Sequence, residues 1–358
     1  MARTTTDGDG TGIAMGGSTA NATLKEVARL AGVHPGTASR ALNAETRELV
    51  NDDTARRVLD AARTIGYSAN PIARGLKTNR SHTIGTLIPD LTNPLFPPVV
   101  RGIQDRLEEA AYTPLIANTD NDPERERISV DALRARRVDG FLAATARSDG
   151  DILTELAGLG VPVVLINRQL RGGALRSVAP DDRAGIHLAV AHLVELGHLR
   201  IAHLAGPRSL STGAARYDGF VEAMRDAGLE PDPDLILVGN AMTEAEGRRL
   251  CAELLDGDVA PPTAIVAAND LVALGCYDVL DERGLRCPQD VSVVGFNDMR
   301  FADRFEPPLT TIRIPHYEMG VRAAELLLEL LRDPAAPVRH ELLEPSLVVR
   351  KSTAPPAG

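Results

Sequence analysis

From Ile84 onward, short apolar runs rich in β-forming residues recur along the chain, at 84–89, 114–118, 138–143, 162–167, 200–206, 235–239, 264–268 and 291–296. Stretches with helical spacing lie between them, such as 99–111 and 214–227. Near-continuous apolar strands alternating with helices predict parallel sheets covered on both faces. So many βα units predict two doubly wound lobes rather than one sheet. Ligands in such folds sit at the carboxyl ends of the strands, so the residues just after each run should line a cleft.

The front segment, residues 22–69, has a different pattern, helical and free of strands. Thr23-Leu24-Lys25-Glu26 reads as a capping box that starts a helix. Leu24, Val27, Ala28 and Ala31 give it one apolar face, Gly32 suits a left-handed turn, and Val33 re-enters the core. A second helix follows, capped by His34, with Pro35 at its first position and Ala38, Ala41 and Leu42 inward. That leaves Thr37, Ser39, Arg40 and Asn43 outward or lateral. Asn51, Asp52 and Asp53 then open a third helix, from Thr54 to about Ile65, closed by Gly66.

A length of 358 residues suits two or three units of ~100 to 200 residues each. The net charge is −10, which argues against a nucleic-acid partner until it is divided by segment. Residues 22–80 carry ten Lys/Arg and six Asp/Glu, whereas residues 81–358 carry 28 and 41. The front segment is therefore locally basic, and a local field is enough where screening acts over about 8 Å. No apolar run reaches the ~18 residues of a membrane span. The first 21 residues read as a disordered tail without the apolar stretch of a secretory signal. Cys251, Cys276 and Cys287 are odd in number and lack metal-ligand or CxxC spacing, which fits reduced thiols and a cytoplasmic location. No catalytic or cofactor motif competes. GxSxG, HExxH and the phosphate-cradling GxxxxGK[ST] pattern are absent, and no metal or cofactor is expected.

Two short helices joined by a glycine turn fit many folds. The residues themselves, however, resemble the lactose-repressor (LacI/GalR) family, beginning with TLKEVARLAGVHPGTASRALN at 23–43 and continuing through RRVLDAARTIGYSANPIARGLK at 56–77. Further similarity lies in IGTLIPDLTNPLF at 84–96, HLVELGHLRIAHLAGP at 192–207, AARYDGF at 214–220, PTAIVAANDLVALG at 262–275, VSVVGFND at 291–298 and PPLTTIRIPHYEMG at 307–320.

The resemblance implies an all-α helix-turn-helix headpiece (22–69), a hinge helix or linker (70–80), and a two-lobed α/β sensor of the periplasmic-binding-protein type (81–358). Lobe 1 is expected at about 81–180 and 315–342, lobe 2 at about 181–314 and 343–358. It further implies a DNA-binding regulator, expected to repress, that works as a homodimer under a small-molecule effector. The absence of a leucine-heptad tail before Gly358 favours a dimer over a tetramer. The alternative is a solute-binding transport protein, which would need a signal peptide and no headpiece.

By the same resemblance Pro35, Gly36 and Arg40 read bases in the major groove, and Arg40 can bond a guanine bidentately. Thr23, Thr37, Ser39 and Asn43 match phosphate contacts, with plain capping or solvation as their alternative. In the hinge, Asn70, Ala73 and Leu76 face DNA, and Leu76 would wedge into the minor groove. The effector positions are Asn93, Phe96, Arg168, Thr212, Arg216, Met242, Asn269 and Asn297. Asn297 stands where sugar-binding members often carry Asp, and Leu210 stands where purine-sensing members carry Arg. Two arginines without that carboxylate suggest an anionic effector such as a sugar acid or sugar phosphate, unless Asp90, Asp181, Asp270 or Asp298 neutralises them.

Overall fold

Helix α1 (Leu24–Ala31) is closed at both ends by its own neighbours. The Thr23 hydroxyl accepts from the Glu26 N–H at 3.3 Å, and the Glu26 carboxylate accepts from the Thr23 N–H at 2.7 Å. Gly32 then turns left-handed at φ +66°, and Val33 N–H returns to the Ala28 carbonyl at 2.9 Å. Helix α2 (Pro35–Ala41) is capped by His34, whose Nδ1 accepts from Gly36 N–H at 3.1 Å. Helix α3 (Asp52–Thr64) starts two residues earlier than its sequence suggests, because the Asn51 side chain accepts from Thr54 N–H at 2.8 Å and both aspartates fall inside the first turn. A short 3-10 turn, Arg47–Leu49, precedes it and has no apolar signature of its own. Alanines dominate the core of this unit (Ala28, Ala31, Ala38, Ala41, Ala55, Ala61, Ala62 with Val27 and Val58), so the three helices pack closely with little side-chain entropy lost.

The computed structural model describes residues 22–43, 46–67, 80–147, 152–257 and 260–357. The chain divides into two units, Met1–Asn79 and Arg80–Gly358. The tail 1–21 and the hinge residues Asn70, Ala73 and Leu76 lie outside the described residues.

The larger unit holds two six-stranded sheets. In chain order its strands are β1 (Thr83–Ile88), β2 (Thr113–Asn118), β3 (Gly140–Ala143), β4 (Val163–Ile166), β5 (Arg176–Pro180), β6 (Ile201–Ala205), β7 (Ile236–Val238), β8 (Ala264–Ala267), β9 (Ser292–Asn297), β10 (Thr310–Arg313), β11 (His340–Leu343) and β12 (Ser346–Val348). The first sheet runs β11-β5-β4-β3-β1-β2 and the second β12-β10-β9-β8-β6-β7. All neighbours are parallel except β12, which runs antiparallel to β10 with Ile312 opposite Leu347. The chain thus changes sheet after Pro180, after Arg313 and after Leu343.

Four of these strands, β5, β10, β11 and β12, are absent from the eight apolar runs. Their residues are too polar or too few to stand out, yet β5 is buried throughout, and Thr310 and Thr311 are fully buried in β10. The polar atoms are tolerated there because they are partnered. Thr311 Oγ1 donates to Asp270 at 2.5 Å, Thr310 N–H donates to Ser352 Oγ at 2.7 Å, and Ser177 Oγ lies 2.9 Å from His340 Nδ1.

Among the described residues seven α-helices of eight or more residues serve this unit: α4 (Phe96–Glu109), α5 (Pro123–Ala135), α7 (Asp182–Glu195), α8 (Ser211–Asp226), α9 (Glu244–Asp256), α10 (Asp270–Glu282) and α11 (His316–Arg332), with α6 (Ile152–Gly158) shorter at 7 residues. Helices α4 and α11 meet backbone to backbone. A Cβ on Gly102 would lie 2.1 Å from the Tyr317 carbonyl oxygen, and one on Gly320 would lie 2.1 Å from that of Val99.

Candidate functional site

The loops that follow the strands converge from both sheets on one cavity of about 230 Å³. Its wall includes Pro89 after β1, Thr119 after β2, Thr145 after β3, Asn167 after β4, Pro207 after β6, Asn240 after β7, Asn269 after β8 and Asn297 at the end of β9. That is the placement expected where parallel strands present their carboxyl ends and aligned loops. All eight residues expected to bind effector line it together: Asn93, Phe96, Arg168, Thr212, Arg216, Met242, Asn269 and Asn297.

Several of the eight are already engaged within the protein. Asn93 Oδ1 accepts from Leu95 N–H at 3.0 Å, which shapes the turn into α4. The ring of Phe96 is buried at the start of that helix. Asn269 caps α10, its Oδ1 accepting from Val272 N–H at 2.9 Å, while its Nδ2 donates to the Met242 carbonyl at 3.0 Å. One amide proton of Asn269 is left over from these bonds. The Met242 methyl reaches over Gly206, where a Cβ would come within 2.3 Å of it.

The two arginines differ most from the sequence expectation. Arg216 is 2% exposed, and its Nε donates at 2.8 Å to Asp182, itself 7% exposed. Its Nη1 donates to the Ala268 carbonyl at 2.5 Å, and the guanidinium stacks 3.8 Å above the centre of the Phe296 ring. Burial raises the affinity of Asp182 for a proton, and the guanidinium beside it opposes that rise. Arg168 donates to the Thr145 carbonyl at 3.3 Å and to Asn121 Oδ1 at 2.8 Å. Burial lowers it to about 10, with Glu126 pulling the other way. Glu126 is buried and accepts from the Thr145 hydroxyl. The counter-charges are therefore Asp182 and Glu126. None of Asp90, Asp181, Asp270 and Asp298 is bonded to either arginine through a described contact; Asp182 and Glu126 stand in their place.

Residues the sequence did not single out complete the wall, chiefly Thr119, Asn121, Glu126, Thr145 and Asn167. Asn167 was hidden because it reads as the last residue of an apolar run. A strand-terminal Asn, which tolerates left-handed backbone, is the signal that could have marked it.

In the smaller unit, α2 turns Ala38 and Ala41 into the core and leaves Arg40 exposed, with Pro35, Gly36, Thr37, Ser39 and Asn43 half-buried around it. Arg40 Nε makes a long 3.3 Å bond to the Gly36 carbonyl, which lays the side chain back along its helix. The Thr23 hydroxyl is occupied by the capping box, since it also donates to Glu26 at 2.9 Å. Lys25, Arg29, Arg40, Arg47, Arg56, Arg57 and Arg63 make the surface of this unit basic, with Arg56 offset by Asp53 and Arg63 by Asp60.

Comparison with known proteins places both units. Residues 23–70 match the bacterial regulatory proteins of the lacI family, and residues 190–353 match the periplasmic binding protein-like domain. The HTH-type transcriptional regulator RegA of Clostridium saccharobutylicum is 34% identical over 331 residues, which span 92% of this chain and 98% of that protein. The lac repressor dimer bound to operator and the anti-inducer ONPF superposes with a TM-score of 0.82 at 28% identity, over 93% of this chain and 99% of that one. The transcriptional regulator CelR in complex with cellobiose gives 0.70 at 32% identity, over 93% and 100%. Among the described residues no helix is long and apolar enough to cross a membrane, and no group of three or more His, Cys, Asp or Glu is arranged to hold a metal ion.

Proposed function

The chain belongs to the lacI family of bacterial regulatory proteins and is a DNA-binding transcriptional regulator under effector control, and from that premise we propose that it represses transcription as a cytoplasmic homodimer without enzymatic activity. The match of residues 23–70 to that family removes the transport alternative, which has no use for a headpiece. In the proposed assignment Arg40 reads a guanine edge, and Pro35 and Gly36 add apolar contact at neighbouring base steps. Thr37, Ser39 and Asn43 hold phosphates, and Thr23 does so with whatever hydrogen-bonding capacity its cap leaves. Asn70, Ala73 and Leu76 form the minor-groove part of the same interface, with Leu76 as the wedge.

The cavity takes the effector. The observation that carries this reading is that eight residues scattered from position 93 to position 297 converge on one cavity at the strand ends of two sheets. Ligand bridging two sheets favours one relative placement of them, and coupling of ~1 to 3 kcal/mol between effector and operator is the ordinary scale for such a population shift. Two copies on a pseudo-palindromic operator double the base contacts, which one short recognition helix cannot supply alone.

Selection from a random duplex library, followed by fluorescence anisotropy on the recovered sequence at fixed salt, tests the proposal. The recovered duplex should bind at least about 10³-fold tighter than a scrambled one, with two half-sites related by a dyad. Equal affinity for both duplexes, or a site without a dyad, would overturn it.

A further inference from the structure

Most arginines of the larger unit sit in ion pairs, including those at helix ends. Arg106 at the end of α4 meets Glu109 and Glu325, Arg225 at the end of α8 meets Glu230, and Arg283 just after α10 meets Asp256. Four others break this habit. Arg134 is in the last turn of α5, Arg136 and Arg137 follow that helix, and Arg332 is the last residue of α11. All four are exposed, and none has an ion pair among the described residues. The helix ends themselves welcome a cation. That does not account for four without carboxylates in a segment whose acids outnumber its bases by 41 to 28.

Contacts at the start of β1 gather them in one place. Arg80 Nη2 donates to the Leu331 carbonyl at 3.1 Å, which sets the end of α11 beside that start. Asp139 accepts from Ser81 N–H at 2.8 Å and from His82 N–H at 3.0 Å, which brings the turn after α5 to the same spot. Burial and Asp139 push the Tyr112 phenol up, while Arg80 and Arg332 pull it down. The amino ends of β1, β2 and β3 thus share one basic rim. Neighbouring carboxylates leave it unneutralised: Asp139 is spent on Ser81 and His82, Asp333 accepts from Ala335 N–H at 3.1 Å, and Glu108 and Asp131 are ion-paired to none of the four in a described contact. Arg168, Arg171 and Arg300, which also lack a described ion pair, lie elsewhere. The first two follow β4 at its carboxyl end, and Arg300 follows β9 in the other sheet.

We propose that this rim is a second phosphate-binding surface, on which Arg134, Arg136, Arg137 and Arg332 hold backbone phosphates of the duplex that the headpiece reads. A guanidinium offers a fork of N–H donors that matches a phosphate, and a cluster of them without carboxylates supplies the local field. Duplex DNA is the polyanion that the chain itself tethers there. Arg80 lies four residues beyond Leu76, and four residues span at most about 14 Å. The inference therefore rests on Leu76 entering the minor groove, as proposed above, which puts the phosphates around that step at high effective concentration near the rim. Such contacts add affinity and no base preference.

The test is operator binding by the full chain, read by fluorescence anisotropy from about 50 to about 200 mM salt. Arg136→Gln/Arg137→Gln and Arg134→Gln/Arg332→Gln should each flatten the plot of log affinity against log salt by about 1 or more. The selected consensus and the melting temperature should stay those of wild type. Arg136→Lys/Arg137→Lys keeps the charge and should keep the slope. Arg137→Gln and Arg171→Gln remove one charge each from exposed sites at opposite ends of the sheet, and only the first should flatten the plot.

Wild-type slopes in both double glutamine variants overturn the inference. An equal loss in Arg171→Gln does so too, because the effect would then be one of net charge. Leu76→Ala, measured beside them, keeps the two readings apart. If it binds as wild type while the arginine variants lose slope, the rim stands and the wedge falls. If it loses affinity while the arginine variants keep their slope, the wedge stands and the rim falls.

Discussion

Arg216 and Asp182 form an ion pair across 34 residues of sequence, Nε to Oδ1 at 2.8 Å, with both side chains buried. Each guards the other against the cost of an isolated buried charge. Arg216→Ala should therefore destabilise the sensor unit by about 3 to 5 kcal/mol, because it strands Asp182, and effector binding should fall as a consequence of lost structure. Urea unfolding checks this, with the double variant Asp182→Asn/Arg216→Gln recovering much of the loss. A single variant with wild-type stability and weak effector binding would show Arg216 to be a ligand contact first.

Close approach of α4 and α11 makes Gly102 and Gly320 hard to replace. Gly102→Ala places a methyl 2.1 Å from a backbone oxygen that no side-chain rotation can move. The expected loss is about 3 kcal/mol, near the upper end for overpacking. Gly158→Ala is the control, because nothing lies within 4 Å of the added carbon, and it should be neutral or stabilising by up to about 1 kcal/mol. Equal denaturation midpoints for the two variants would mean that the helices can part freely.

On DNA, Arg40→Ala and Ser39→Ala should separate base reading from phosphate binding. Arg40→Ala should cost about 1 to 3 kcal/mol on the selected operator and relax preference at one base step. Ser39→Ala should weaken binding by a similar factor on every sequence. If selection with Arg40→Ala returned the wild-type consensus unchanged, the base-reading role would be wrong.

Stability of the sensor unit should depend on pH through opposed buried groups. Burial depresses His203 and His316 to about 4 from an ordinary value near 6.5, so unfolding takes up protons in that interval and stability is lost as the pH falls through it. Asp270 acts the other way. Burial raises it to about 7, so between the ordinary carboxylate value and about 7 the folded state holds the extra proton, and stability from this group falls as the pH rises. Asp270→Asn removes only the second effect. The variant should lose stability on acidification more steeply than wild type between pH 6.5 and 4.5, as read from melting temperatures across that range. Parallel curves would exclude the raised carboxyl.

Local chemistry was legible along the chain. The Thr23–Glu26 box, the His34 cap and the Asn51 cap all join groups two or three residues apart, so residue identity and spacing decide them before any tertiary contact forms. Eight strands were equally legible, because burial on both faces demands continuous apolar runs, and alternation with helices makes the sheets parallel. From that follows a cavity at the strand ends, and the family motifs pointed to eight of its residues. Beyond this reach lay whatever depends on which distant groups meet. The polar strand β10 is held by Asp270 and Ser352, 41 and 42 residues from the threonines they bind. The same holds for the charge of the cavity, where the chain offered several possible counter-charges for two arginines and folding set Asp182 beside one and Glu126 near the other. A side chain's hydrogen-bonding capacity is written in its chemistry, but whether that capacity is spent depends on what the tertiary structure brings within 3 Å of it.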